Sequence, residues 1–269
     1  MQNTSPLYRR IMSATEHWFE TRLVIGASGN LITERGERIL FGPDSIVVAR
    51  VSPDAGFSEE FIFSIQTSTQ MFERGPEIGK AIAGEIDVKM IKPAGDMERM
   101  GVIVPYIRAK AIDDETGKEL VSEWLQQGVY FIDTREISNN DTDLVTLTLH
   151  GFDAMLKAEQ NHTTTGTMTD TRLVSAIAEK MGVSVDPRTW EIMTEGYEFT
   201  VTPSYTMREM LGYIAGAYGG NFLMTDLGEL RLVTLWELPR ETRYLVDDAG
   251  YVIVFGTDSQ TEEPIRIVV

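Results

Sequence analysis

Three histidines, His17, His150 and His162, are the first candidates for acid–base or metal chemistry near neutral pH. They are scattered along the chain, and none has a partner at metal-ligand spacing. With 41 Asp and Glu residues in 269, some carboxylate pair always resembles the acid and base of a glycosidase. Asp133 and Glu136 are such a pair, but three positions apart on an expected strand they fall on opposite faces. They read as surface or inter-subunit charges. The acidic turn from Asp113 to Glu119 lacks the alternating carboxylates and the distal Glu of a calcium loop. Gly216-Ala217-Tyr218-Gly219-Gly220 is glycine-rich but closes a helix, whereas phosphate loops open one, where unpaired N–H groups face the anion. Gly26-Ala27-Ser28-Gly29 is not followed by a helix either. Asn161-His162-Thr163 matches a glycosylation sequon, which carries no meaning without a secretory signal, and MQNTSPLYRR lacks the basic-then-apolar order of one. There are no cysteines, hence no thiolate ligand and no cysteine nucleophile. The expectation is no catalytic residue, no cofactor and no metal site: a chain that is not an enzyme.

The elements that carry these residues read as two kinds. The first half is mainly strands. Trp18 to Ile25 and Ser45 to Val51 are rich in β-branched and aromatic residues, and Phe61, Phe63 and Ile65 alternate as on a strand with a buried face. Pro76 to Ala83 suggests a short helix with Pro in its first turn. Glu85 to Ile91 alternates again. Gly101 to Ala111 is a strand interrupted by Pro105, which places it at an edge or a bulge. Gln127 to Glu136 and Asp143 to His150 flank the turn-forming Ser138-Asn139-Asn140-Asp141, a hairpin, and Gly151 to Leu156 turns into a short helix. A polar stretch, Gln160 to Thr169, marks a boundary. Beyond it Thr169 to Met181 has Leu173, Val174, Ile177 and Met181 on one helical face, with Gly182 as its stop. Tyr197 to Thr202 reads as a strand. Thr206 and Glu209 are spaced as a capping box for a helix that turns Met207, Met210, Leu211, Ile214 and Ala215 inward and ends at Gly219-Gly220. Asn221 to Thr225 and Glu229 to Leu235 form a hairpin. Strands return at Tyr244 to Val246, Val252 to Phe255 and Ile265 to Val269.

The net charge of −17 disfavours nucleic-acid binding, since phosphate contacts are made mainly by Lys and Arg. It suits a surface to which DNA must not adhere. No apolar run approaches the length of a membrane span.

The segment Gly128 to Leu156 (GVYFIDTREISNNDTDLVTLTLHGFDAML) resembles the end of the first barrel in phage tail hub, or baseplate hub, proteins. Thr169 to Leu235 follows the same family in order: helix, strand, a helix opening at Tyr205-Thr206-Met207-Arg208-Glu209, then Gly219-Gly220-Asn221-Phe222 into a hairpin. It is similar to the α/β domain shared by baseplate hubs and the hub part of VgrG-type secretion spikes. The wording YIAGAYGGNFLMTDLGELRLV is similar to short tail proteins of Firmicutes phages and prophages. The likeness covers residues 85–235 best. It departs after Leu235, where the family completes a second barrel and this chain has too few residues for one.

The resemblance implies a mainly β fold with α+β character. It would comprise a β-barrel hub domain at 1–158, an α/β domain at 165–238, and C-terminal strands at 239–269 that form part of a second barrel or pair with a neighbouring subunit. It implies a homotrimer whose two barrel-like parts per subunit give a pseudo-sixfold ring between tail tube and tip. The partners it implies are a tail tube or distal tail protein, a spike or tip protein and a tape measure protein, with DNA passing through the lumen without stable binding. The chain would be made in a bacterial cytoplasm and reside at the tip or baseplate of a virion tail. Edge strands would join the subunits. Pro105, Val252, Val254, Ile265, Ile267 and Val269 are the interface candidates, although the C-terminal strands could equally close their own sheet. The alternatives are a tail-associated cell-wall hydrolase, which needs a cleft with paired carboxylates, and a carbohydrate-binding tail tip module, which needs exposed aromatics. The four tryptophans, Trp18, Trp124, Trp190 and Trp236, are read as core or interface.

Overall fold

The computed structural model describes residues 4–26, 40–41, 44–45, 53–69, 77–93, 97, 99–113, 116–139, 145–161, 165–235, 254–257 and 264–266. A short helix α1 (Pro6–Met12) precedes β1 (His17–Gly26), β2 (Leu40–Phe41), β3 (Asp44–Ser45), β4 (Ile62–Ser68), β5 (Lys80–Ala81), β6 (Glu85–Ile91) and β7 (Val102–Ile112). Then follow β8 (Glu119–Val121), β9 (Leu125–Gln126), β10 (Tyr130–Asn139) and β11 (Val145–Asp153), and a 3-10 turn over Ala154–Glu159. The rest is β12 (Gly166–Thr169), α2 (Asp170–Met181), α3 (Pro187–Ile192), β13 (Glu198–Val201), α4 (Met207–Ala217), β14 (Gly220–Met224), β15 (Leu230–Thr234), β16 (Val254–Thr257) and β17 (Pro264–Arg266). The fold is mainly β. Residues 1–233 form one compact unit and 234–269 another.

An eight-stranded antiparallel sheet dominates the first unit, in the order β1-β7-β10-β11-β6-β4, with β8 and β9 also laid along β7. Strand β6 shows how the sequence builds it. Ile86, Val88 and Met90 are buried while Glu85, Asp87 and Lys89 between them are exposed, because side chains alternate across the pleat. Strands β7 and β10 begin apolar and buried on both sides, at Val102–Val104 and Tyr130–Ile132. Ile103, Tyr130 and Ile132 join Leu23, Ile86, Val88, Met90, Leu147 and Leu149 in one cluster. Their neighbours Val102, Val104 and Phe131 point the other way, into a second core shared with the helices. At about 25 cal/mol per Å² of apolar surface removed from water, each fully buried Ile, Leu or Met contributes roughly 1.5–3 kcal/mol, so this double-sided burial fixes the register.

The strands form an open sheet rather than the expected closed barrel: among the described residues β1 and β4, its ends, are not paired with each other. The ends do approach through Phe57, whose N–H donates to Leu23 O at 2.8 Å and whose C=O accepts from Leu23 N at 3.0 Å. Pro105 is not at an edge. It lies in β7 with β1 on one side and β8, β9 and β10 in succession on the other. Leu23, opposite Pro105, spends both its backbone groups on Phe57, so this position needs no Pro105 N–H. The missing donor faces the gap between β9 and β10, where the Pro105 carbonyl accepts from Gln127 N at 2.8 Å.

Other expectations need correcting. Phe61 and Phe63 are 43% and 54% exposed rather than buried, because β4 is an end strand whose register slips between Ile62 and Ser64. The segment around 77–83 is extended, not helical. Gly79 has φ +82, which ends any helix there, and Lys80–Ala81 pairs in parallel with β14. The buried Asn221 side chain holds it, accepting from Lys80 N at 2.9 Å and donating to Glu77 O at 2.7 Å. Strand β11 runs on to Asp153 before the 3-10 turn begins.

The helices lie where their periodicity predicts. Leu173, Val174, Ile177 and Met181 of α2 are buried, and Gly182 closes it at φ +72. Thr206 and Glu209 form the capping box of α4. Several elements have no counterpart in the sequence reading, α1, β8 and β9 among them, and two others lie in the second half. One is β12, a strand inside the polar stretch, paired with β13. The other is α3, started by Asp186 with Pro187 at its first turn. Val24, Val102, Val104 and Phe131 of the sheet share one core with Leu173, Ile177, Leu211 and Phe222. In the second unit β16 pairs with β17, Val254 opposite Arg266. The stretches Ser45 to Val51 (after Ser45) and Tyr244 to Val246, and Val252, Ile267 and Val269, lie outside the described residues.

Candidate functional site

The residues that could have carried catalysis do not converge. His17, on β1, has its ring Nδ1 3.3 Å from the Ala14 carbonyl and packs edge-on against Phe19. His150, on β11, faces Asp87 across the ladder at 2.8 Å on the exposed side of the sheet. His162 lies outside the described residues. Asp133 sits at the register shift of β10, paired with Arg99 at 2.8 Å, while Glu136 is exposed farther along. Asp113 closes its turn through Gly117 N and is paired with Arg10. Among the described residues no group of three His, Asp or Glu is placed to hold a metal ion. No described helix is long and apolar enough to cross a membrane.

The buried carboxylates are committed to the backbone. Asp153 Oδ2 accepts from Gly84 N at 2.6 Å and Oδ1 from Met155 N at 2.8 Å, which starts the 3-10 turn. Burial raises its carboxyl to about 6 despite these two donors and the Arg208 charge. Asp170 accepts from Tyr197 N at 3.0 Å and from the Tyr218 hydroxyl, fastening α2 to the ends of β13 and α4. Burial first and that carboxylate second push the Tyr218 phenol far above its usual range. Asp186 is clamped by the Arg188 guanidinium, which holds its carboxyl down. Each of these carboxylates caps or fastens its own elements.

On the β1 and β7 side, Glu20 receives the Arg108 guanidinium at 2.7 and 2.9 Å and Lys110 Nζ at 2.8 Å. Burial would raise this carboxyl, but the hydrogen bonds from Lys110 and Arg108 and their charges hold it at about 2. Arg108 also lies 4.2 Å from the Trp124 ring centre, a cation–π contact. This network ties β1 to β7.

A cleft of about 370 Å³ does exist, along the outer side of α4. Gly79, Lys80 and Ala81 form one wall, and Arg208, Gly212 and Tyr213 of α4 the other, with Glu159 at one end. Arg208 crosses its base, donating from Nε to Ala81 O and from a terminal nitrogen to Glu159, both at 2.6 Å. Sequence reasoning missed it because its walls are 130 residues apart and neither has a motif. The helix can lie this close because a Cβ at Gly212 would stand 2.7 Å from the Gly79 carbonyl oxygen.

No protein-family model matches the sequence, and none of the curated proteins matches it. Among solved structures the chain is similar to the 43 kDa tail protein of prophage MuSo2 from Shewanella oneidensis, with a TM-score of 0.48 and 14% identity. The match covers 80% of this chain and 53% of that one, so the chain spans about half that protein's length.

The outer strands of the large sheet are the remaining candidates. Trp18 and Phe19 on β1 are 42% and 40% exposed, at the end of the strand remote from the Phe57 bridge. Phe63, on β4, is more exposed than either. Of the other tryptophans, Trp124 stacks under Arg108, Trp190 packs against the core and Trp236 lies outside the described residues.

Proposed function

We propose that this chain is a structural subunit of a phage-like tail, a hub that forms a threefold ring between the tail tube and the tip. The observation that carries this reading is the pair of outer sheet strands, β1 and β4, each presenting large apolar side chains at an edge: Trp18 and Phe19 on one, Phe61 and Phe63 beside and on the other. An edge of this kind is a template for another strand, and exposed aromatics beside it supply the apolar area for a stable joint. Edge-to-edge joining of identical subunits by two different edges is a heterologous contact, which closes into a ring when the rotation allows. The order α2, β13, α4, β14 and β15 also follows the order that the hub resemblance implies for residues 169–235.

In this reading the large sheet curls towards closure through the Leu23–Phe57 pair, and its chemistry is association alone. The C-terminal hairpin, with Val254 and Ile265, lends its outer edges to a neighbour, as do Val252, Ile267 and Val269. The acidic excess faces the lumen in part and keeps DNA from adhering. Tube, spike and tape measure proteins are the partners. Light scattering of the purified chain tests the ring: a mass near three times 30.2 kDa is expected. A monomer that stays monomeric at high concentration, and with a tail tube partner present, refutes it.

A further inference from the structure

We propose that the cleft beside α4 is a binding site for an uncharged saccharide, independent of any role in assembly. The charges that line it balance: Lys80 and Arg208 against Glu159 and Glu209. Arg208 is bound to Glu159 at 2.6 Å, and Glu209 Oε2 accepts from Thr206 N at 2.7 Å in the capping box. With no net charge in the lining, neither an anion nor a cation is selected. The lining is nevertheless dense in hydrogen-bonding atoms, and these can accept from or donate to hydroxyls through their unused lone pairs and protons.

The second feature is aromatic. Tyr213 lines the cleft and is 55% exposed, and Tyr205, 40% exposed, braces it edge-on at a ring separation of 5.4 Å. A buttressed ring that keeps its face in water has lost part of its entropy in advance and gains by covering that face. The ligand class that combines an apolar C–H face with a rim of hydroxyls is a sugar ring: the face lies on Tyr213 and the hydroxyls reach the polar wall. The volume of about 370 Å³ lies at the small end of ligand sites, and the cleft is open, which suits one or two rings of a longer chain. Gly212 contributes by letting α4 lie against Gly79, which brings the two walls of the cleft together.

The test titrates the full chain, in whatever oligomeric state it adopts, with cellotetraose, maltotetraose and the tetramer of N-acetylglucosamine, read by ligand-observed NMR and calorimetry. Saturable binding of at least one is expected. Tyr213→Ala should weaken it about tenfold through the lost stacking, and Tyr213→Phe should keep it within about twofold. Tyr213 is exposed, so thermal melts of both variants should match the parent and separate lost binding from lost folding. No saturable binding of any of the three at millimolar concentration overturns the proposal. So does binding that Tyr213→Ala leaves unchanged. Neither result bears on the trimer, whose readout is mass.

Discussion

Asp153 and Glu20 pull acid stability in opposite directions, and their environments say why. Asp153 is raised to about 6 from an ordinary 3.8 because it is buried, so the folded protein holds its proton more tightly than the unfolded chain. Its contribution therefore grows as pH falls from about 6 to 4 and shrinks as pH rises through 6. Glu20 is lowered from 4.5 to about 2 by Lys110 and Arg108 against its burial. Its contribution is complete above about 4.5 and is lost as pH falls towards 2. Urea unfolding across this range should show both. Asp153→Asn should remove the slope between pH 6 and 4. At pH 4 it should also cost about 1–3 kcal/mol, since one of the N–H groups of Gly84 and Met155 then faces an amide N–H₂. Glu20→Gln should flatten the curve below pH 4.5 and leave the pH 6 to 4 slope in place. If the two substitutions alter the same window, these charge assignments are wrong.

Among the elements, α4 is where local sequence and tertiary contact can be told apart. Thr206→Ala removes the capping-box acceptor for Glu209 N and should lower stability by about 1 kcal/mol in thermal melts. Gly212→Ala is the sharper case. In an exposed helix this exchange stabilises by up to about 1 kcal/mol. Here the new Cβ meets the Gly79 backbone oxygen, so a loss of about 1–3 kcal/mol is expected. A gain would mean that α4 and the 79–81 segment do not pack this closely. The same contrast explains what could be read from the sequence. The α2 and α4 faces, their caps, the alternation of β6 and the β10–β11 hairpin rest on residues within a few positions of one another, and they are where periodicity puts them. Segment 77–83 could not be read this way. Its helix-like composition is overruled by Gly79 and by Asn221, which is 141 positions beyond Lys80. Pro105 was likewise a local signal with a non-local answer, since an interior strand tolerates it where its missing N–H faces the gap between β9 and β10. The cleft has no local signature at all, because Tyr213 and Lys80 become neighbours only through that same pairing.

For the whole molecule, assembly through the sheet ends predicts a specific failure. Phe63→Lys puts a charge on an exposed position of β4, so the subunit should fold normally while sedimentation shows the trimer reduced to monomer. The same change at Tyr213 should leave the mass unaltered. A Phe63→Lys variant that remains trimeric would place the joint elsewhere, with the C-terminal hairpin next to be tested. The parallel pairing of Lys80–Ala81 with Asn221–Phe222 has a consequence of another kind, in time. On the ribosome, Lys80–Ala81 must wait, unpaired, until its partner strand, 141 positions further on, has been made. The sheet core can gather early from neighbouring hairpins, but the unit can be sealed only when residues near 221 emerge. That pairing therefore waits on the emergence of residues near 221, and a product cut short before them lacks the seal.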